Sequence, residues 1–267
     1  MGVKCESIIA FGTTVNNETE ALAALAPTSL TTRTGWGKPK ITHAMALTST
    51  DDVQECWVVP SGYADPNGFP IEQVGIYSNV SSFDLSEAKL AHPVEVPENC
   101  ALTINARSET AANSVVFVWL MLEYPSAGPF EPIRTSGGLV RRAWEHGAAL
   151  VSNTIANSTT ITDLQAGRMY QPAGVGNGAI NGATAGCVGP AFWAVQSNHS
   201  GGCEWFIPIP NAGNYVVGNG PGWVDFVRCG IKAPIIPGGQ PLLTKCVGYT
   251  AEQPQAVIEM MVDKVFP

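Results

Sequence analysis

Pro97-Glu98-Asn99-Cys100-Ala101-Leu102-Thr103-Ile104 leads, through Thr110-Ala111, into the apolar run 115–123, and the same pattern returns 140 residues later. There Pro237-Gly238-Gly239-Gln240-Pro241-Leu242-Leu243-Thr244 leads, through Thr250-Ala251, into the run 257–263. Pro97/Pro237, Leu102/Leu242, Thr110/Thr250, Ala111/Ala251 and Glu123/Asp263 all match at that one offset without a gap. Each match sits in the same turn-strand-turn-strand context. Self-similarity at a long fixed period sets the architecture before any single residue does, so the echo predicts two copies of one β module in tandem. The opening segments of the two halves do not align at this offset; the echo belongs to the closing strands.

Working outward, strand signals dominate. In 41–48, Ile41, Met45 and Leu47 alternate with Thr42 and Thr48. The runs 53–59 and 71–77 follow, joined through the turn cluster Asp65-Pro66-Asn67-Gly68. With 7–11, 30–33, 94–96, 102–107 and 115–123, the first half holds about eight strands, the number of a closed double-sheet sandwich. Two short helices are expected to interrupt it: Asn17 capping 18–25, with glutamates early in the helix, and Ser86 capping one turn through Leu90. Three prolines in 125–132, followed by Ser136-Gly137-Gly138, remove backbone donors and mark 125–138 as a linker. The expected domains are therefore 1–124 and 139–267. The second half reads as strands near 148–152, 159–164, 168–171, 191–196, 204–209, 224–228, 242–249 and 256–262, and Pro208 and Pro210 confine theirs to an edge or an end. The Gly- and Asn-rich stretches 172–190 and 211–222 are expected to be loops at one end of the second module, carrying surface or inter-subunit contacts.

The closing strand of the first half is apolar on both faces. Val116, Val118, Leu120 and Leu122 oppose Val115, Phe117, Trp119 and Met121. A strand of this kind must be covered on both sides. Val115, Phe117, Trp119 and Met121 are therefore the candidate contact residues, toward the sister module or another subunit.

Hydrophobic residues make up 45% of the 267 and charged residues only 13%, against roughly 25% in an average soluble protein. So little charge suits a β-rich chain whose surface is covered by neighbours, and equally an ordinary sandwich with a neutral polar surface. A net charge of −8 excludes nucleic-acid binding driven by electrostatics. Arg33, Lys38 and Lys40 around Trp36 form a short basic cluster, either a solvated loop or one that faces an anionic surface such as a membrane or packaged genome. The opening Met1-Gly2-Val3-Lys4-Cys5-Glu6 lacks the apolar core of a secretory signal, and no run reaches the length of a membrane span, so a soluble chain made in a cytoplasm is expected. Seven scattered cysteines without a Cys-x-x-Cys read as buried thiols. Asn17, Asn79, Asn157 and Asn198 begin sequons that such a chain would leave unused.

Patterns that carry chemistry are weak. Gly174-Val175-Gly176-Asn177-Gly178-Ala179 has the spacing of a dinucleotide loop, but more glycine, Asn181 and Thr184 follow where a helix should open. His43, His92, His146 and His199 have no ligand-like partner at three or four residues. His43 sits on an alternating strand as a core histidine would. Asp51, Asp52, Glu72 and Glu204 are carboxylates whose pairing in space the sequence does not fix. The seven tryptophans read mainly as core or interface anchors. No catalytic, cofactor-binding or metal-ligating residue is assigned, and no enzymatic activity is expected.

Two tandem eight-stranded β modules, a Pro-rich linker, long loops, low charge and no catalytic pattern together resemble the double jelly-roll major capsid proteins of tailless icosahedral viruses, the adenovirus-like lineage. The ending from Pro97 through Leu102-Thr103-Ile104 to Tyr124, and its echo from Pro237 to Val265, look like the last strands of successive jelly rolls. The resemblance implies an all-β fold of two tandem eight-stranded jelly-roll β-sandwiches with short helical insertions. It implies a structural virion protein, assembled in a host cytoplasm, whose homotrimers make pseudo-hexagonal capsomers of an icosahedral shell. Its implied partners are itself, other virion proteins and, in some members, an internal viral membrane, with no sequence-specific nucleic acid and no cofactor. A carbohydrate-binding or glycan-cleaving β-sandwich protein and a phage receptor-binding spike or fibre are the alternatives.

Overall fold

The echoing segments fold alike in the computed structural model. It describes residues 2–14, 18–25, 29–48, 53–75, 88–108, 114–128, 136–145, 154–157, 160–177, 191–196, 204–209, 223–233, 235–248 and 255–263. In the first copy, β9 (Leu102–Ser108) and β10 (Ser114–Gly128) follow a turn in which Asn99 has φ 52°. In the second, β18 (Leu243–Gly248) and β19 (Gln255–Asp263) follow a turn in which Gly239 has φ 77°. The two residues stand at the same offset of 140, and Asn99 is the non-glycine that adopts this conformation among the described residues. Asn tolerates the left-handed region better than other side chains and Gly does so freely, so both copies specify the same turn by different means.

The sheets repeat the same way. The first half contributes β1 (Gly2–Thr14), β2 (Thr19–Ala21), β3 (Ala23–Ala24), β4 (Lys40–Thr48), β5 (Val53–Pro60), β6 (Phe69–Pro70), β7 (Glu72–Gly75) and β8 (Lys89–Glu95) before β9 and β10. One sheet runs β3-β1-β10-β4, with β7 parallel and β8 antiparallel along the far side of β4; the other runs β2-β9-β5-β6. The second half contributes β11 (Ser136–Glu145), β12 (Ala156–Asn157), β13 (Met169–Asn177), β14 (Ala191–Gln196), β15 (Glu204–Ile209), β16 (Trp223–Asp225) and β17 (Ile236–Pro237). Its sheets run β11-β19-β13-β16, with β17 also on β13, and β12-β18-β14-β15. Setting aside β3, β7 and β17, each half has its strands in the order first-eighth-third-sixth in one sheet and second-seventh-fourth-fifth in the other. That is the connectivity of a jelly roll, two Greek keys folded into a sandwich. The chain is all-β, and it is two such sandwiches in tandem. Among the described residues no helix is long and apolar enough to cross a membrane.

Several expectations are corrected. The segment expected as a capped helix over 18–25 is strand: Leu22 N–H donates to Ile104 O at 2.8 Å and Leu25 N–H to Ile9 O at 2.9 Å. Leu22 and Leu25 are buried at the sandwich edge, and ladder pairing there outweighs the helix propensity of the alanines around them. Lys89 and Leu90, expected to end a helical turn, lie in β8; Ser86 falls outside the described residues. The expected linker is entered by strand from both ends, since β10 reaches Gly128 and β11 starts at Ser136. The first part of the expected 172–190 loop is not a loop. Residues 172–177 are the second half of β13, paired with β19 and β16. Pro172 is tolerated because β16 and β17 pair β13 on either side of it and the register with β19 shifts between Pro172 and Gly174. Residues 178–190 and 211–222 lie outside the described residues. Near 224–228 the strand ends at Asp225 and gives way to α1 (Phe226–Cys229). The edge position expected of the Pro208 strand is found: among the described residues β15 ends its sheet.

Candidate functional site

The strand with two apolar faces organises the molecule. Val116, Val118, Leu120, Leu122 and Tyr124 of β10 fill the first sandwich with Ile8, Ala10, Ile41, Val58, Leu102 and Ile104. The opposite face, with Phe117 and Trp119 at 0% exposure and Met121 at 1%, belongs to a different cluster. That cluster joins Cys5, Ile9, Met45 and Leu47 of the first module to Ile207, Val224, Phe226, Cys229, Ile231 and Ala233 of the second. Val115, the fourth candidate contact residue, is half-buried and packs against it. These residues are covered within one chain. The apolarity of β10 therefore supplies no argument for a subunit interface.

Polar groups fix the junction. Asp225 caps α1 by accepting from Arg228 N–H at 3.0 Å, and Gly230 closes the turn at φ 71° with Ile231 N–H donating to Phe226 O at 2.8 Å. This presents the Cys229 carbonyl to His43, whose Nε2 lies 2.9 Å away. His43 is fully buried, a core histidine as its strand position suggested. Lys232 Nζ reaches Glu123 Oε2 at 2.7 Å, and Cys5 Sγ donates to Lys232 O at 2.8 Å. The bonds of His43, Glu123 and Cys5 tie the first module to α1 and the residues that follow it, which sequence reading missed. Its readable signal is the Asp225 and Gly230 pair flanking four residues.

A second polar set closes the first module near the basic cluster. Arg33 Nη2 and Nε lie 2.6 and 2.7 Å from Glu6 Oε1, while Tyr124 OH donates to Glu6 Oε2 at 3.1 Å and accepts from Arg33 N–H at 3.0 Å. The Arg33 guanidinium also stands 5.7 Å from the Trp36 ring centroid, and that ring meets Tyr124 edge-on at 5.1 Å. Burial, the main cause, raises the Tyr124 hydroxyl above its ordinary value, so it remains a neutral donor. Lys38 and Lys40 are exposed. Arg33 is thus held by a carboxylate in the fold. Tyr124→Phe removes the acceptor of one buried bond and the donor of another; it is expected to cost about 1–3 kcal/mol, read as a lowered denaturation midpoint with an unchanged slope.

Among the described residues no three His, Cys, Asp or Glu side chains converge as metal ligands. Cys5, Cys56, Cys100, Cys229 and Cys246 are buried thiols outside any disulfide, and burial pushes Cys56 up to about 12; Cys187 and Cys203 lie outside the described residues. His92 is exposed on β8, and His146 and His199 fall outside the described residues, as do Asp51, Asp52 and the side chains of Glu72 and Glu204. The stretch Gly174-Val175-Gly176 lies in β13 between two other strands, with no helix opening after it among the described residues.

What remains exposed is ordered by the duplication. The sheet face of the second module equivalent to that of Trp119 carries Leu139, 59% exposed, Arg141, and Glu259, which Arg141 Nε contacts at 2.7 Å. Glu259 stands at the position of Trp119 and Met261 at that of Met121. On β8 of the first module Ala91, His92 and Pro93 are all exposed, whereas Ile231 and Ala233, which follow α1 in the second module, are buried in the junction.

No family model matches the chain, and no curated protein matches it. Among solved structures, the major capsid protein P2 from bacteriophage PM2 is similar over 98% of this chain and 98% of its own, with 13% identity and a TM-score of 0.27. The STIV MCP is similar over 98% of this chain and 96% of its own, with 10% identity and a TM-score of 0.28. Superpositions this loose carry no argument about what the chain does.

Proposed function

We propose that this chain is a structural shell protein: a major capsid protein whose homotrimers form pseudo-hexagonal capsomers of an icosahedral virion, with no reaction to catalyse. The observation that supports this reading is the half-used symmetry of the duplication. Within the chain, the sheet face of the first module meets the shoulder of the second. The equivalent face of the second module keeps Leu139 and Arg141 exposed, with Glu259 and Met261 half-buried, and Ala91, His92 and Pro93 on the shoulder of the first module are exposed too. A second copy of the chain would bring these two surfaces together. A contact between unlike surfaces makes a ring when its rotation closes, and three copies would supply six modules. Low charge fits a surface meant to be covered. Partners under this reading are other copies of the chain and other virion components.

Native mass spectrometry with light scattering tests it. At tens of micromolar the expected species is three times the 28.1 kDa chain or a larger assembly, and electron micrographs should show six-lobed tiles. A monomer at that concentration, above all one that binds glycans, would overturn the proposal.

A further inference from the structure

His43 is fully buried, and both its ring nitrogens are engaged. Nε2 lies 2.9 Å from the Cys229 carbonyl, and Nδ1 lies 2.9 Å from Thr42 Oγ1. A carbonyl only accepts, so Nε2 carries the hydrogen; the neutral ring then accepts at Nδ1 from the Thr42 hydroxyl. Thr42 Oγ1 also stands 3.4 Å from Met121 O. On protonation of Nδ1 the hydroxyl can turn to that carbonyl, so no donor is orphaned. The cost of the charge is therefore its removal from water.

We propose that His43 is an acid-released latch between the two modules: neutral, it holds α1 and the segment after it against the first sheet, and protonated, it lets them go. This stands apart from the shell reading, because it concerns a joint inside one chain. The groups around it leave the charge poorly compensated. Glu123 on β10 is engaged by Lys232 from the second module, Lys89 on β8 lies over Gly230, and Thr42, Met121 and Trp119, which also border the ring, carry no charge. Burial is the largest influence and lowers the His43 pKa, Lys89 acts with it, and the Cys229 bond and Glu123 act against it. The sign follows. The open junction binds the proton more readily than the closed one, so closure is fully favoured above about pH 6.5 and weakens as pH falls below it.

Hydrogen exchange on the intact protein reads the joint. Corrected for intrinsic rates, protection of 226–233 is expected to fall at least about fivefold from pH 7.5 to 5.0. The ceiling is about thirtyfold, set by an open-state pKa near 6.5 and a closed state that does not titrate. Protection of β9, in the other sandwich, should hold. His43→Gln keeps a donor and an acceptor without a titration, and its 226–233 protection should be flat across this range. Glu123→Gln should keep the acid response. In the wild type, the His43 ring followed by NMR should titrate below pH 6.5, a readout that does not depend on any variant folding. Flat protection in the wild type, an acid response that survives in His43→Gln, or a ring that titrates at or above 6.5 would each overturn the latch.

Discussion

Trp119→Ala is expected to lower the stability of the isolated chain by about 3–5 kcal/mol, and Trp119→Asp to prevent folding altogether. Trp119 has no exposed surface, with Ile9 and Met45 as its ladder neighbours and the ring of His43 6.0 Å away. The wall of the cavity left by alanine would come from two modules, so neither sheet could collapse into it without breaking the junction. A loss of this size is a large share of the roughly 5–15 kcal/mol that holds a domain folded. An aspartate there would bury a charge among apolar side chains with no counter-ion. Denaturation in urea, at a concentration where assembly is absent, separates the two places a contact tryptophan can sit. If Trp119 lay on a subunit surface, the monomer would tolerate alanine within about 0.5 kcal/mol. That result would remove the intrachain junction from the account of this fold.

Why the sequence disclosed that Trp119 is covered, but not by what, is a matter of physics. Alternation at period two reports how many faces of a strand are apolar, and β10 reported two. Apolarity is non-directional, so it names no partner. The closing strands were legible because turn, alternation and length agree in both copies, down to the left-handed residue at Asn99 and Gly239. The segment after Asn17 was not legible, because Leu22 and Leu25, three residues apart among alanines and glutamates, satisfy a helical period as well as a strand edge. What decides between them is Ile104 and Ile9, whose carbonyls lie far away in sequence. In β13, Pro172 and two glycines read as a break, and the strand survives because β16 and β17 pair it on either side of the proline and the register with β19 shifts just after it. In β11 the doubled Arg141-Arg142 hides the alternation. Arg142 shares the inward side with Ile258 and is neutralised by Asp163 at 2.6 Å, a partner no spacing rule would select.

Leu139→Glu is expected to abolish assembly while leaving the fold of the chain unchanged. The two effects separate because Leu139 is 59% exposed on the outer side of β11, so a glutamate there meets water in the lone chain and should shift stability by no more than about 0.5 kcal/mol. In an assembled ring the same position would be brought against the Ala91-His92-Pro93 shoulder of the next copy. A carboxylate there would give up its water against Ala91 and Pro93 with the His92 ring as its sole polar partner, and a buried, poorly paired charge costs several kcal/mol per contact. A closed trimer repeats that cost three times, so the population of rings should collapse. Arg141→Glu is the companion: it sets a carboxylate beside Glu259, which Arg141 now pairs, and should weaken assembly less, because position 141 is itself 72% exposed and a charge there keeps much of its water. Sedimentation at matched concentrations, with circular dichroism as the check on folding, gives the answer. Rings that persist in Leu139→Glu would place the contact between copies on some other surface, and the half-used symmetry of the duplication would then have no bearing on assembly.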